Sequence, residues 1–194
     1  MKGRESGMPD EAHWSSFFEQ EGALDQLLPR DGKTSSVIEF GCGYGTFTLP
    51  VARRASGIVT ALDIEPDMVD AVARKAETAG LKNVRVALRD FVADGTGLES
   101  GSQSHAMIFN LLHLEEPIAL LREALRVLED GGSLSVTHWR SDIATPRGPS
   151  LSIRPSPEQC RAWMEEAGFR DVEPVNLKNC CPYHFGLVGR AFKR

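Results

Sequence analysis

The stretch that decides the fold is Val37-Ile38-Glu39-Phe40-Gly41-Cys42-Gly43-Tyr44-Gly45-Thr46-Phe47. A β-branched and aromatic run ends in three glycines at alternate positions, and a helical spacing of Phe47, Val51 and Ala55 follows. Strand, glycine turn, helix is the opening of a βαβ unit, and glycine there lets the backbone take positive φ and approach a ligand closely. The same alternation continues downstream. Ile58 to Leu62 closes on Asp63, and Pro66 opens a helix with Met68, Val69, Val72, Ala73 and Ala76 on its inner stripe. Val84 to Leu88 runs into Arg89-Asp90-Phe91, and Ala106 to Phe109 into Asn110-Leu111-Leu112-His113. Glu115 to Leu128 reads as a helix that Gly131-Gly132 stops, and Leu134 to Trp139 as a fifth strand. Such alternation implies right-handed crossovers and a parallel sheet covered on both faces.

The tail departs from this rule. After a polar loop carrying four prolines (140–157) and a helix (158–167), Asp171 to Asn176 and His184 to Phe192 are strand-like. About seven residues separate them, and a parallel crossover needs a dozen or more, so they are expected to pair antiparallel. The opening 30 or so residues, with Trp14, Phe17 and Phe18 at helical spacing, read as a short helix laid over the core. The expected organisation is a single domain: a helical cover (1–34), a cofactor-binding core (35–139), then a lid loop, helix and antiparallel hairpin (140–194).

Composition bounds the function classes. The 194 residues carry 22 Lys+Arg against 27 Asp+Glu, a net charge of -5, with 41% hydrophobic and 25% charged residues. That is a globular average with enough chain to bury a core, and it argues against disorder. No apolar run reaches the roughly 20 residues of a membrane span, and the N-terminus lacks the apolar segment of a secretory leader. A cytoplasmic protein is expected. The acidic balance disfavours nucleic acid as a partner, because phosphate neutralisation needs a positive surface. Cys42, Cys160, Cys180 and Cys181 show no metal-site spacing and are expected as free thiols, with no metal.

Three consecutive strand ends carry chemistry. Glu39 precedes the glycine turn, Asp63 lies about 20 residues after it, where a carboxylate accepts from ribose hydroxyls, and Asp90-Phe91 sets a carboxylate beside an aromatic. The dinucleotide fingerprint G-x-G-x-x-G/A fails at Thr46, and a carboxylate at 39 repels a pyrophosphate. The electrostatics favour an amino-acid-bearing nucleoside over NAD.

On these pieces, VIEFGCGYGTF (37–47), ALDIEPDMV (61–69), LRDF (88–91), NLLHL (110–114) and LREALRVLEDGGSLSV (121–136), the chain resembles the class I S-adenosylmethionine-dependent methyltransferases. It is most similar to the small methyltransferase-11, ubiquinone/menaquinone methylase-like type. The resemblance implies an α/β, Rossmann-like, doubly wound seven-stranded sheet with an antiparallel last strand. It implies S-adenosyl-L-methionine as cofactor and S-adenosyl-L-homocysteine as product. Residue by residue, it implies that Glu39 lies near the methionine amine and that Gly41, Cys42, Gly43, Tyr44 and Gly45 form the turn around the methionine and sulfonium. Asp63 would hold the ribose diol with Ile64 against adenine, Asp90 and Phe91 would frame the base, and Asn110 and Leu111 would close the methionine side.

The reaction is an in-line displacement at the sulfonium methyl, which asks for proximity and alignment and in some cases a general base. His138, opening the divergent segment after strand five, is the first candidate base, with His113, Tyr183 and His184 as alternatives. Capping of a strand-to-helix junction is a sufficient reason for His113. Trp139, Arg140, Arg147 and Arg154 are candidates for the acceptor side: the arginines for an anionic group, the tryptophan for an aromatic one. The expected activity is methyl transfer to a small molecule, aromatic or anionic. The competing readings are a non-catalytic adenosylmethionine-binding protein and an NAD(P)-dependent oxidoreductase.

Overall fold

The computed structural model describes residues 8–29 and 34–193. Strand β1 (Val37–Phe40) lies inside the sheet and is buried along its whole length. Val37, Ile38 and Phe40 are apolar, as a parallel strand covered on both faces requires, and Glu39 is the one charged residue buried with them. β2 (Val59–Asp63) and then β3 (Val84–Leu88) extend the sheet to one side. On the other side stand β4 (Gln103–Phe109) and β5 (Leu128–Trp139), then β7 (His184–Arg190), with β6 (Arg170–Val175) at the edge. The order β3-β2-β1-β4-β5-β7-β6 is parallel throughout except for β7, which runs antiparallel to both β5 and β6. The short connection between the last two strands has the consequence expected of it.

Helices cover both faces. α5 (Pro117–Val127) and α6 (Pro157–Ala167) turn Leu121, Ala124, Cys160 and Met164 onto Ile38, Phe40, Ile108 and Val136. On the opposite face α2 (Gln20–Leu27) and α3 (Thr48–Arg54) pack Leu24, Leu27 and Val51 against Val37, Val59 and Met107. α4 (Pro66–Thr78) adds Val72 against Ala61 and Cys42. Each fully buried Leu, Ile or Phe in these layers contributes about 1.5–3 kcal/mol of transfer free energy, so the sheet is a rigid platform for whatever its loops carry.

Two sequence expectations need correction. The N-terminal helix is broken: α1 (Glu11–Ser15) ends before Phe17 and Phe18, which lie buried in the junction, and α2 restarts at Gln20. The break holds because Asp10 caps α1 through the His13 amide (3.0 Å) and Glu19 caps α2 through that of Gly22 (2.9 Å). Gly131-Gly132 does not end α5. That helix stops at Val127, and β5 begins at once with Leu128 opposite Gln103, while the next pairing is His105 with Ser133. The intervening residues bulge, with Gly131 at φ +79° and its N–H donated to the Ala191 carbonyl (2.7 Å). Among the described residues no helix is long and apolar enough to cross a membrane.

Candidate functional site

The strand order reverses between β1 and β4, and in open α/β sheets the crevice opens there, at the carboxyl ends of the strands. A cavity of about 400 Å³ fills it. Its walls bring together Glu39, Gly41, Cys42, Gly43, Asp63, Ile64, Asp90, Phe91, Asn110 and Leu111, ten of the twelve residues expected on the cofactor side. Tyr44 and Gly45 stand outside it. The Tyr44 hydroxyl donates to the Pro9 carbonyl (2.8 Å), and Gly45 packs on α4, where a Cβ would lie 3.1 Å from Val72.

Backbone geometry shapes the first wall. Gly41 and Gly43 both take positive φ (70° and 50°), and the Gly41 and Cys42 amides bend back onto the Leu62 carbonyl (2.8 and 3.0 Å). The turn is further clamped by Asp63, which accepts from the Gly43 amide (2.8 Å) and the Glu65 amide (3.0 Å). A carboxylate has about four acceptor positions, so Asp63 keeps capacity toward the cavity. Glu39 is buried and receives the Thr48 hydroxyl, and burial, helped by the charge of Asp63, pushes its carboxyl up to about 8. Cys42 is no nucleophile: burial beside Glu39 and Asp63 pushes its thiol far up. At the end of β4, Asn110 is held at φ +61°, a conformation that costs a non-glycine residue of order 1 kcal/mol, and its Oδ1 is buried with no protein partner. Thr46, also on the wall, buries an unpartnered hydroxyl. Strained backbone, open acceptors and a glycine cradle fit a ligand that carries a ribose diol at one end and a cationic amine at the other.

The second wall is mostly apolar: Trp14 from α1, Phe109, Leu114, Trp139, and Ile153 from the 140–157 loop. That loop is organised by Arg154, whose guanidinium donates to the carbonyls of Pro149 (2.7 Å), Arg140 (3.0 Å) and Arg147 (3.1 Å) and to the Thr145 hydroxyl (2.6 Å). Gly148 is pressed on Trp139 so closely that a Cβ would lie 2.8 Å from its ring. Of the four residues expected on the acceptor side, Trp139 and Arg147 line the cavity. Arg140 lies outside it in a fork with Asp142 (2.9 and 2.6 Å), and Arg154 holds the loop from behind.

The histidines are rearranged relative to expectation. His138 does not reach the cavity, because the pleat of β5 sends Trp139 to the cavity face and His138 to the other. His113 lines the cavity, and its Nδ1 lies 3.1 Å from Nε2 of the fully buried His138. His184 is buried between Phe18 and Trp139, with ring centroids 4.8 and 4.2 Å away, and Tyr183 packs edge-on to Phe17; neither lines the cavity. Burial pushes His138 and His184 down to about 3, and lowers His113 below the ordinary histidine range. All three rings are therefore neutral at pH 7.

Sequence reasoning missed Met8, Thr46, Gly148 and Ile153 on the walls. Thr46 was visible as the residue that breaks the dinucleotide fingerprint, whereas Met8 and the loop residues give no local signal. Among the described residues no cluster of side chains is suited to hold a metal.

Known proteins share the sequence pattern and the fold. Residues 37–132 match the methyltransferase domain family. An uncharacterized 37.1 kDa protein in transposon TN4556 of Streptomyces fradiae is 34% identical over 160 residues, 77% of this chain and 45% of that protein. Aklanonic acid methyltransferase DauC of Streptomyces sp. (strain C5) is 26% identical over 152 residues, 68% of each. A SAM dependent methyltransferase from Aquifex aeolicus superposes with a TM-score of 0.77 at 23% identity, covering 94% of both chains, a likeness of fold. The chain spans under half the length of the Streptomyces fradiae relative and about two thirds of DauC.

Proposed function

This chain belongs to the class I S-adenosylmethionine-dependent methyltransferases, and from that premise we propose that it moves a methyl group to a small, largely apolar acceptor held under the 140–157 loop. The observation that carries the reading is that one cavity has two unlike walls. One wall is built from strand ends, glycine backbone and carboxylates, the other from aromatic and aliphatic side chains with His113 and Arg147 among them. Bound S-adenosylmethionine supplies an electrophilic methyl on sulfur. Asp63 takes the ribose hydroxyls, Asp90 and Phe91 frame adenine, and Glu39 with the open Oδ1 of Asn110 receives the amine end. The apolar wall orients the acceptor and excludes water, which is most of what an in-line displacement needs. Arg147 suits an anionic substituent, and the net charge of -5 supports a small acceptor over a nucleic acid.

Thermal unfolding with S-adenosylmethionine, S-adenosylhomocysteine and NAD tests the cofactor side. The first two are expected to raise Tm by several degrees at millimolar ligand and NAD to leave it unchanged; a shift with NAD alone overturns the reading. Release of S-adenosylhomocysteine on incubation with small phenolic and carboxylic acceptors tests turnover.

A further inference from the structure

We propose that His138 is a positioning residue that fixes the tautomer of His113, so that His113 presents a bare Nε2 as the proton acceptor for a phenol- or enol-type hydroxyl. The proposal deepens the methyl-transfer reading above and rests on it for the identity of the reaction. It follows from hydrogen-bond chemistry at three atoms. Nδ1 of His138 lies 3.1 Å from the Trp139 carbonyl oxygen. A carbonyl only accepts, so His138 carries its proton on Nδ1 and donates it there. Being neutral, its Nε2 is then a lone pair. The atom facing that lone pair at 3.1 Å is Nδ1 of His113, which must supply the hydrogen. With its proton on Nδ1, His113 has its lone pair on Nε2, and this is the one of the two rings that lines the cavity. A free imidazole side chain in water prefers the opposite tautomer, with the proton on Nε2 and nothing to offer an incoming hydroxyl. The Trp139 carbonyl and His138 together reverse that preference.

The surroundings make the arrangement firm. His138 is fully buried, with the Phe185 ring centroid 6.2 Å away and the His113 ring centroid at 5.3 Å. Burial, then the neighbouring His113 and the Arg154 guanidinium from the loop, keep the ring from taking a second proton, against the opposing pull of the Trp139 carbonyl. His113 itself sits below the ordinary histidine range by burial alone. A base of that strength matches an acidic hydroxyl such as a phenol or enol and is poorly matched to an aliphatic alcohol. The proton balance closes without a further reagent. The hydroxyl gives its proton to Nε2 as its oxygen takes the methyl, the pair of the broken carbon–sulfur bond stays on sulfur, and the imidazolium returns the proton to solvent as product leaves.

The test reads the tautomer directly, without turnover. Long-range 1H–15N correlation spectra of the uniformly 15N-labelled protein distinguish the two neutral forms, and His113→Asn assigns the ring. The wild-type protein is expected to show His113 protonated on Nδ1. His138→Phe, which offers no acceptor, is expected to move His113 to the Nε2-protonated form or a mixture, whereas His138→Gln, whose amide oxygen accepts, keeps it on Nδ1. In turnover with a phenolic acceptor the Phe variant should lose about 10–100-fold in kcat with little change in KM, and the Gln variant should recover part of it. Nε2-protonated His113 in the wild-type spectrum overturns the proposal, and that spectrum stands even if a variant fails to fold. An unchanged tautomer in His138→Phe overturns the positioning role. Failure of the chain to bind S-adenosylmethionine would instead refute the methyl-transfer reading and leave the tautomer assignment standing.

Discussion

The two walls of the cavity are built on opposite electrostatic principles. The cofactor wall buries acids, with Glu39 pushed up to about 8 and Asp63 also raised by desolvation. Behind the acceptor wall lie buried bases, His138 and His184, each pushed down to about 3, and His113 lowered as well. Both sets are neutral or strained toward neutrality for the same reason, the cost of charge in a low-dielectric interior. The difference lies in what relieves it. A cationic ligand brings Glu39 a partner, whereas the histidines stay uncharged. His138 is hydrogen-bonded to the Trp139 carbonyl and His113, and His184 is packed between Phe18 and Trp139 with neither ring nitrogen partnered.

Acid should therefore break the acceptor side first, and this is the largest effect expected. A histidine whose pKa is lowered in the fold contributes stability that is full above the unfolded value near 6.5 and is lost as pH falls toward the folded value. His138, His184 and His105, the last also pushed to about 3, act together below pH 6. Glu39 opposes them, because its raised carboxyl contributes stability below about pH 4.5 that fades as pH climbs through 8. Between pH 6 and 4.5 the histidines prevail, and the unfolding free energy of the ligand-free protein should fall by about 2–3 kcal/mol per pH unit. Urea midpoints at pH 7.5, 6 and 5 measure it; a flat profile would show that the rings are not held neutral.

Asp63→Ala separates the walls from the cofactor side. It removes the acceptor for a diol and also the clamp on the Gly43 and Glu65 amides, so S-adenosylhomocysteine should bind about 100-fold more weakly by calorimetry. Asp63→Asn, which keeps one acceptor oxygen, should lie between. Equal affinity in all three proteins would remove Asp63 from the ligand. Arg154→Ala separates the walls from the other side. Four hydrogen bonds to the 140–157 loop vanish, and amides there should exchange roughly tenfold faster or more while those of 37–47 stay protected. Acceleration in both segments would mean that the walls are one cooperative unit.

The walls also differ in how much of them was legible in the sequence. The cofactor wall is local: a glycine turn at 41–43 and carboxylates at strand ends are written in consecutive residues, and the parallel register brings those ends together without further information. Tyr44 and Gly45 belong to the same motif yet face Pro9 and Val72, because a turn has two sides and spacing does not say which one meets the ligand. The acceptor wall is assembled from distant segments, Trp14 of α1 and Ile153 of the loop among them, and no local pattern relates them. His138 shows the limit most clearly. Its place beside the crevice was readable from the end of β5, but the face to which it points depends on the pleat register, and one residue reverses it. The arginines of the loop were expected to face an anion, and Arg154 holds backbone carbonyls instead, a use that only the folded loop creates.

The smallest effect concerns Gly148, where the loop meets the wall. Its φ of +116° is open to glycine and costly for alanine, and an added Cβ would lie 2.8 Å from Trp139 and 2.9 Å from the Arg154 guanidinium. Trp139 cannot yield, since it is 2% exposed and packed against Phe17 and His184. Arg154 yields only by abandoning the Arg147 carbonyl. The loop itself is the soft partner: Leu151 and Ile153 are exposed, and the segment buries little apolar surface. In Gly148→Ala the strain is therefore relieved by lifting the loop, and the stability loss is capped by what the loop's own contacts contribute, about 1 kcal/mol. Tm should fall by only a few degrees. S-adenosylhomocysteine affinity should hold, because no atom of the glycine turn moves. Quenching of tryptophan fluorescence by acrylamide should rise about twofold as the cover over Trp139 loosens. A large drop in Tm with unchanged quenching would mean that the loop is part of the core, and the contrast between a rigid cofactor wall and a movable acceptor wall would fail at the residue where it is sharpest.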